Sequence, residues 1–280
     1  MKKTFINKSK EKEINHNSFG LLNKYLLNEK NNKNNLDYIN IIKEVDEFTI
    51  LVINNAIPKD IYEKLECDYP SLKIILECNN IDKKYPIILN HNSRCYISAK
   101  KLLNPNENLK DIWKSFINYH TSNELKELKE LKDFKKDILD TFNKINEINE
   151  NKNITKDNLE MSLNKNLDFT FNYNLPVCYQ YQPELKEIKF EKDKMFSGFF
   201  LMRKDEDNSK GGNLEFFYET FNKTLNEIKK IISIPYQKNC FVIIFKNNNH
   251  KDNENEKKIK FGFTQRQLTI HTQRYLGFFV

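Results

Sequence analysis

The chain has 280 residues, 39% hydrophobic and 12% aromatic, with a formal net charge of +7. That composition excludes wholesale disorder, and the length admits one large domain or two small ones. Its lysines are interleaved with glutamates rather than blocked, so no nucleic-acid partner is expected. No apolar run approaches the roughly 20 residues needed to span a bilayer, so no membrane partner is expected either. Met1-Lys-Lys-Thr leads into no apolar signal segment, and a cytoplasmic location is the expectation.

The cationic residues divide into 42 Lys and 4 Arg, alongside 41 Asn and two Ala. Where composition drifts towards Lys, an Arg marks a position at which a planar, bidentate guanidinium does what an ammonium cannot. Arg94, Arg203, Arg266 and Arg274 are therefore candidate sites. Cys67, Cys78, Cys95, Cys178 and Cys240 are odd in number with no CxxC spacing, which indicates neither a disulfide framework nor a zinc knuckle.

Residues 1–35 are polar and end in an Asn-rich stretch, and they are expected to be a flexible lead-in. A helix-rich leader region follows over 36–158. Within it, EFTILVIN (47–54) is short, apolar and β-branched, which predicts a buried strand. Pro58 opens a helix running to Leu65. Ile112, Trp113, Phe116 and Ile117 share one face of a second helix over 109–119. Over 122–150, Leu125, Leu128, Leu131, Phe134, Ile138, Phe142 and Ile145 recur at spacings of three and four, predicting a long amphipathic helix with Ser122 as its cap. Its other face is either solvated or a contact for a partner coil.

From 159 to 280 the pattern changes to short aromatic and β-branched runs: LDFTFNY, MFSGFFLM, NLEFFY, CFVIIF, IKFGF and RYLGFFV. These predict the strands of a sandwich or jelly roll. Residues 220–232 fit either a helix or a strand-rich insertion.

Three segments carry more than pattern. In RKDEDNSKGGNLEFF, Arg203 ends a strand, an acidic turn follows, and Gly211-Gly212 launch the next strand, as a tight hairpin or a close backbone approach. CFVIIFKNNNH is a buried strand running into a polar loop. In FGFTQRQLTIHTQRYLGFFV, alternation sends Arg274, Leu276 and Phe278 to one face. An Arg on the inner wall of a barrel needs a carboxylate, either an internal Asp or Glu or a bound acid.

In order, Arg203, the acidic turn, Gly211-Gly212-Asn213-Leu214-Glu215-Phe216, Thr264-Gln265-Arg266 and Gln273-Arg274-Tyr275 resemble the 2-oxoglutarate and iron(II)-dependent dioxygenases. The likeness is to the bacterial and phage branch with an R-x-x-x-D-D-S-x-G-G-x-L-E turn. VINNAIPKDIYEKL, Pro70, Arg94 with YISAKKLL, and WKSFINYHTS are similar to its leader, so the resemblance covers residues 47–280. It implies an α+β fold, a double-stranded β-helix (jelly roll) core with supporting amino-terminal helices. It further implies iron held by two His and one carboxylate, 2-oxoglutarate as co-substrate, Arg274 on that acid's far carboxylate, and Arg266 near the mouth.

The metal ligands depart from the family. Ile188 and Phe190, or their neighbours, stand where His and Asp belong, Phe261 stands for the distal His, and Phe200 and Leu201 stand where relatives tend to have Tyr. His250 and His271 are read as loop or packing residues, and His120 lies in the leader. The resemblance therefore implies a pseudoenzyme: no catalytic residue, no metal ligand, and a binding or partner subunit for a small organic acid or an active relative. The alternative is an active hydroxylase with a non-standard Fe(II) site, using His250. A third possibility is a structural module whose contact is the 122–150 helix.

Overall fold

The computed structural model describes residues 19–27, 41–45, 48–78, 94–103, 109–121, 134–148, 167–174, 185–188, 196–221, 226–246, 257–267 and 269–279. In chain order these form α1 (Asn23–Leu27), β1 (Ile41–Val45), β2 (Phe48–Asn54), α2 (Lys59–Cys67), α3 (Leu72–Cys78), β3 (Arg94–Ser98), α4 (Ala99–Leu103), α5 (Asp111–Thr121) and α6 (Phe134–Ile148). Then follow β4 (Phe169–Asn174), β5 (Lys186–Glu187), β6 (Phe196–Met202), β7 (Leu214–Phe221), β8 (Asn226–Ile234), β9 (Lys238–Lys246), β10 (Lys257–Phe263) and β11 (Gln273–Phe279). The content is mixed helix and antiparallel sheet.

Seven strands form one sheet in the order β1-β2-β9-β6-β11-β4-β3, and four form a second in the order β5-β10-β7-β8. The central strands of the larger sheet are apolar at nearly every position because both of their faces are covered. In β2, Phe48, Ile50 and Val52 join the core between the sheets, while Leu51 and Ile53 join the core under the helices. The same alternation divides β9, with Val242 and Ile244 on the first side and Phe241, Ile243 and Phe245 on the second. Lys43 of β1 donates from Nζ to the Ile231 carbonyl of β8 at 2.8 Å, tying the edges of the two sheets together.

The helices cover the outer face of the larger sheet. α5 buries Ile112, Trp113, Phe116 and Ile117, the stripe its spacing predicts, and α6 buries Phe134, Ile138, Phe142 and Ile145. Ser122, Leu125, Leu128 and Leu131 lie outside the described residues. Pro58 stands at the N-cap of α2, where its missing N–H costs nothing. The ambiguous segment ending at Ile232 is, from Asn226, a strand: β8 pairs with β7 and carries a bulge opposite Phe216 and Phe217.

Residues 19–27, placed within the polar lead-in, are packed: Phe19, Leu21 and Leu22 are fully buried. Lys144 of α6 donates to the Tyr25 carbonyl at 3.1 Å and lies 4.7 Å over its ring. Six of these nine residues are apolar, but the polar stretches on either side dilute them in a composition reading, and they suffice to seat a short helix. The division at 158/159 is not a division of the sheet, because β1, β2 and β3 hydrogen-bond into the same sheet as β9 and β4. Among the described residues no helix is long and apolar enough to cross a membrane.

Candidate functional site

Arg274 lies near the start of β11, on the face it shares with Leu276 and Phe278, which belong to the core under the helices; Tyr275 takes the opposite side, between the sheets. Arg274 thus points at α2 rather than into the inter-sheet space, a correction to the inner-wall expectation that follows from the strand's alternation. Its Nη2 pairs with Glu66 Oε1, Nη1 donates to the Glu66 carbonyl at 3.3 Å, and Nε donates to the Met202 carbonyl at 3.3 Å. The carboxylate expected at Arg274, left open between an internal group and a bound acid, is in this structure the chain's own Glu66.

The guanidinium sits 4.9 Å over the Tyr69 ring, whose face attracts a cation. Tyr69 packs edge-on against Trp113, Phe171 and Tyr173. The Tyr236 hydroxyl accepts from the Arg274 backbone N–H at 2.9 Å. Burial pushes the Tyr69 and Tyr173 phenols up, and Tyr236 up to about 12, so all three stay neutral at physiological pH. Burial alone would disfavour the charge on Arg274, but the hydrogen bond and carboxylate charge of Glu66 oppose it, and the guanidinium stays charged.

Arg203 and Arg266 organise the acidic turn. Arg266 pairs with Asp207 at 2.7 Å, donates twice to Ser209 Oγ at 3.2 and 2.8 Å, and donates to the His271 carbonyl at 2.7 Å. Arg203 donates to the Asp207, Ser209 and Tyr236 carbonyls. Both guanidiniums lie against the Tyr236 ring, at 5.7 and 5.6 Å. Burial pushes the Asp207 carboxyl up, but the Ser209 hydrogen bonds and the two arginines prevail and lower it. Gly211 and Gly212, at φ of +85° and +73°, let the turn close against Arg266 in an isolated bridge. Arg266, expected near a mouth, is thus spent on the turn. Arg94 is placed in β3 opposite Asn174.

Between the sheets, Ile188 and Phe261, two residues that the sequence resemblance set at iron-ligand positions, are buried apolar side chains. Phe261 packs against Phe199 with ring centroids 4.8 Å apart, Phe263 against Tyr275 at 4.8 Å, and Ile188 is buried beside them. Leu201 joins this core, whereas Phe200 faces Tyr62 under the helices. Phe190, Cys178 and His250 lie outside the described residues. His120 is buried among Phe116, Phe134, Phe169 and Phe278, and His271 is half-buried in the β10–β11 connection. Among the described residues no group of three His, Cys, Asp or Glu could hold a metal ion.

Glu66, Tyr69 and Tyr236 escaped the sequence. Glu66 reads as one more surface carboxylate of an amphipathic helix, and its partner is 208 residues away. The rarity of Arg, the alternation along its strand and the sequence resemblance all pointed to the other half of the pair.

No family model matches the sequence, and no curated protein matches it. Among the solved structures that resemble the chain are two prolyl 4-hydroxylases. One is a prolyl-4-hydroxylase of Pseudomonas putida, with a TM-score of 0.34 and 11% identity over 82% of this chain and 83% of that one. The other is a prolyl 4-hydroxylase from Phytophthora capsici, with a TM-score of 0.39 and 8% identity over 94% of this chain and 62% of that one.

Proposed function

We propose that this chain is a non-catalytic relative of the 2-oxoglutarate and iron(II)-dependent dioxygenases: a binding or partner subunit on a jelly-roll core, with a small organic acid as ligand and Arg274 as the group that meets it. The observation that carries this reading is the aromatic filling between the sheets. A 2-His-1-carboxylate site needs two imidazole nitrogens and a carboxylate oxygen converging on one point. The side chains standing at those positions, Ile188 and Phe261, offer no lone pair, so these residues do not fit the metal.

The strand order supports the jelly roll. Strands β4 to β11 fall alternately in the larger and smaller sheets, with the hairpin β7–β8 as the exception, a pattern that suits an eight-stranded double-sheet fold. Because Arg274 faces α2 rather than the space between the sheets, the proposed acid site is on the α2 side of the larger sheet.

Iron stoichiometry and succinate formation from 2-oxoglutarate in the purified chain test the reading. The expected result is substoichiometric iron, no turnover, and binding of 2-oxoglutarate by calorimetry that does not depend on added Fe(II) and is lost in Arg274→Gln. Bound iron with succinate turnover would overturn it in favour of an active hydroxylase.

A further inference from the structure

Glu66 holds Arg274 incompletely. A guanidinium presents five N–H donors in a planar fork and takes a carboxylate on two parallel bonds. Here three donors are used: Nε on Met202, one Nη1 hydrogen on the Glu66 carbonyl, and one Nη2 hydrogen on a single Glu66 oxygen. One N–H on each terminal nitrogen therefore has no acceptor among the described residues. The two partners also differ in exposure: the Arg274 side chain is 4% exposed and that of Glu66 is 22% exposed. Arg274 is the floor of the site, and Glu66 reaches it from the solvent side.

The contacts around Glu66 hold backbone rather than its carboxylate. α2 and its exit are pinned by Trp113 Nε1 on the Leu65 carbonyl at 3.1 Å, the Tyr62 hydroxyl on the Arg203 carbonyl at 2.9 Å, and the Tyr69 hydroxyl on the Asn172 carbonyl at 3.3 Å. The neutral Tyr69, Tyr173 and Tyr236 add no anion that would repel another.

We infer that Glu66 is a resident stand-in at a carboxylate site, and that a small free carboxylic acid takes its place across both terminal nitrogens of Arg274 when the Glu66 side chain turns to solvent. This rests on the acid-binding part of the function proposed above. An intramolecular competitor weakens the apparent affinity by the fraction of time the site is free: a site free about 1% of the time binds roughly 100-fold more weakly than an open one. Glu66 thereby sets the acid concentration to which the protein responds.

Calorimetry on the full chain with 2-oxoglutarate and with acetate tests this, using Glu66→Gln, which keeps an acceptor for Arg274, and Glu66→Asp, which withdraws the charge by one methylene. Thermal melts report whether each variant folds. The expected result is at least about tenfold tighter binding in Glu66→Gln, an intermediate gain in Glu66→Asp, and loss of binding when Arg274→Gln is added. Equal affinity in the wild type and the folded Glu66 variants, still lost with Arg274→Gln, would overturn the role of Glu66 and leave the acid-binding reading standing. No binding by the wild type or any folded variant, or binding that survives Arg274→Gln, would overturn both.

Discussion

Asp207 and Arg266, 59 residues apart, meet at 2.7 Å as an ion pair with side chains 1% and 7% exposed. The pair closes the turn after β6 onto the segment after β10. Removing one member of a buried pair strands the other charge in a low-dielectric site. Asp207→Asn, nearly the same shape, is expected to cost about 3 kcal/mol, read as a lower urea midpoint at unchanged slope. Because the Asp207 carboxyl titrates lower in the fold than in the unfolded chain, its contribution is present above the usual carboxylate range and is lost as pH falls through the folded value.

Phe261→Ala removes the ring that fills the inter-sheet space against Phe199. The loss is expected to be roughly 3–5 kcal/mol, the usual cost of a buried aromatic truncation with its residual cavity. Urea denaturation checks it, and a change below about 1 kcal/mol would mean that the sheets close over the gap.

Gly211→Ala fails for two separate reasons. Its φ of +85° disfavours any side chain, and an added Cβ would lie 2.1 Å from the Gln265 backbone oxygen. Backbone cannot turn aside as a side chain does, so the turn must open. We expect at least about 2 kcal/mol of destabilisation and, by hydrogen exchange, weakened protection across the Gly211–Arg266 bridge.

His120 makes stability depend on pH. Nδ1 lies 2.8 Å from the Phe116 carbonyl, and Nε2 is buried without a partner among the described residues. Burial lowers its pKa from 6.5 to about 3, opposed only by the Phe116 hydrogen bond. The folded chain therefore keeps the ring neutral while the unfolded chain gains a proton below 6.5. The contribution is complete above 6.5 and falls as pH drops towards 3, by roughly 3 kcal/mol between pH 6.5 and 4. His120→Leu is expected to flatten that part of the profile measured by urea denaturation.

What the sequence disclosed followed from local rules. β2, β6, β9 and β11 were visible because strands covered on both faces become unbroken apolar runs, and α5 because its stripe has helical spacing. Short elements such as α1, β1 and β5 have too few residues to build a period. At the site, the scarcity of Arg singled out Arg274, but the strand's alternation alone could not say which face of the sheet met the helices. Only the placement of α2 supplies that, and with it Glu66.

β2 is hydrogen-bonded along its whole length to β9, from Phe48 opposite Lys246 to Asn54 opposite Cys240. During synthesis FTILVIN emerges long before the strand that will cover it. Pairings of such high sequence separation fold slowly, and an uncharged β-branched run left waiting is an aggregation hazard. The vulnerable interval of this protein is therefore set by the order of its strands along the chain: until β9 has been made, β2 has no partner on one side and must be kept from other chains.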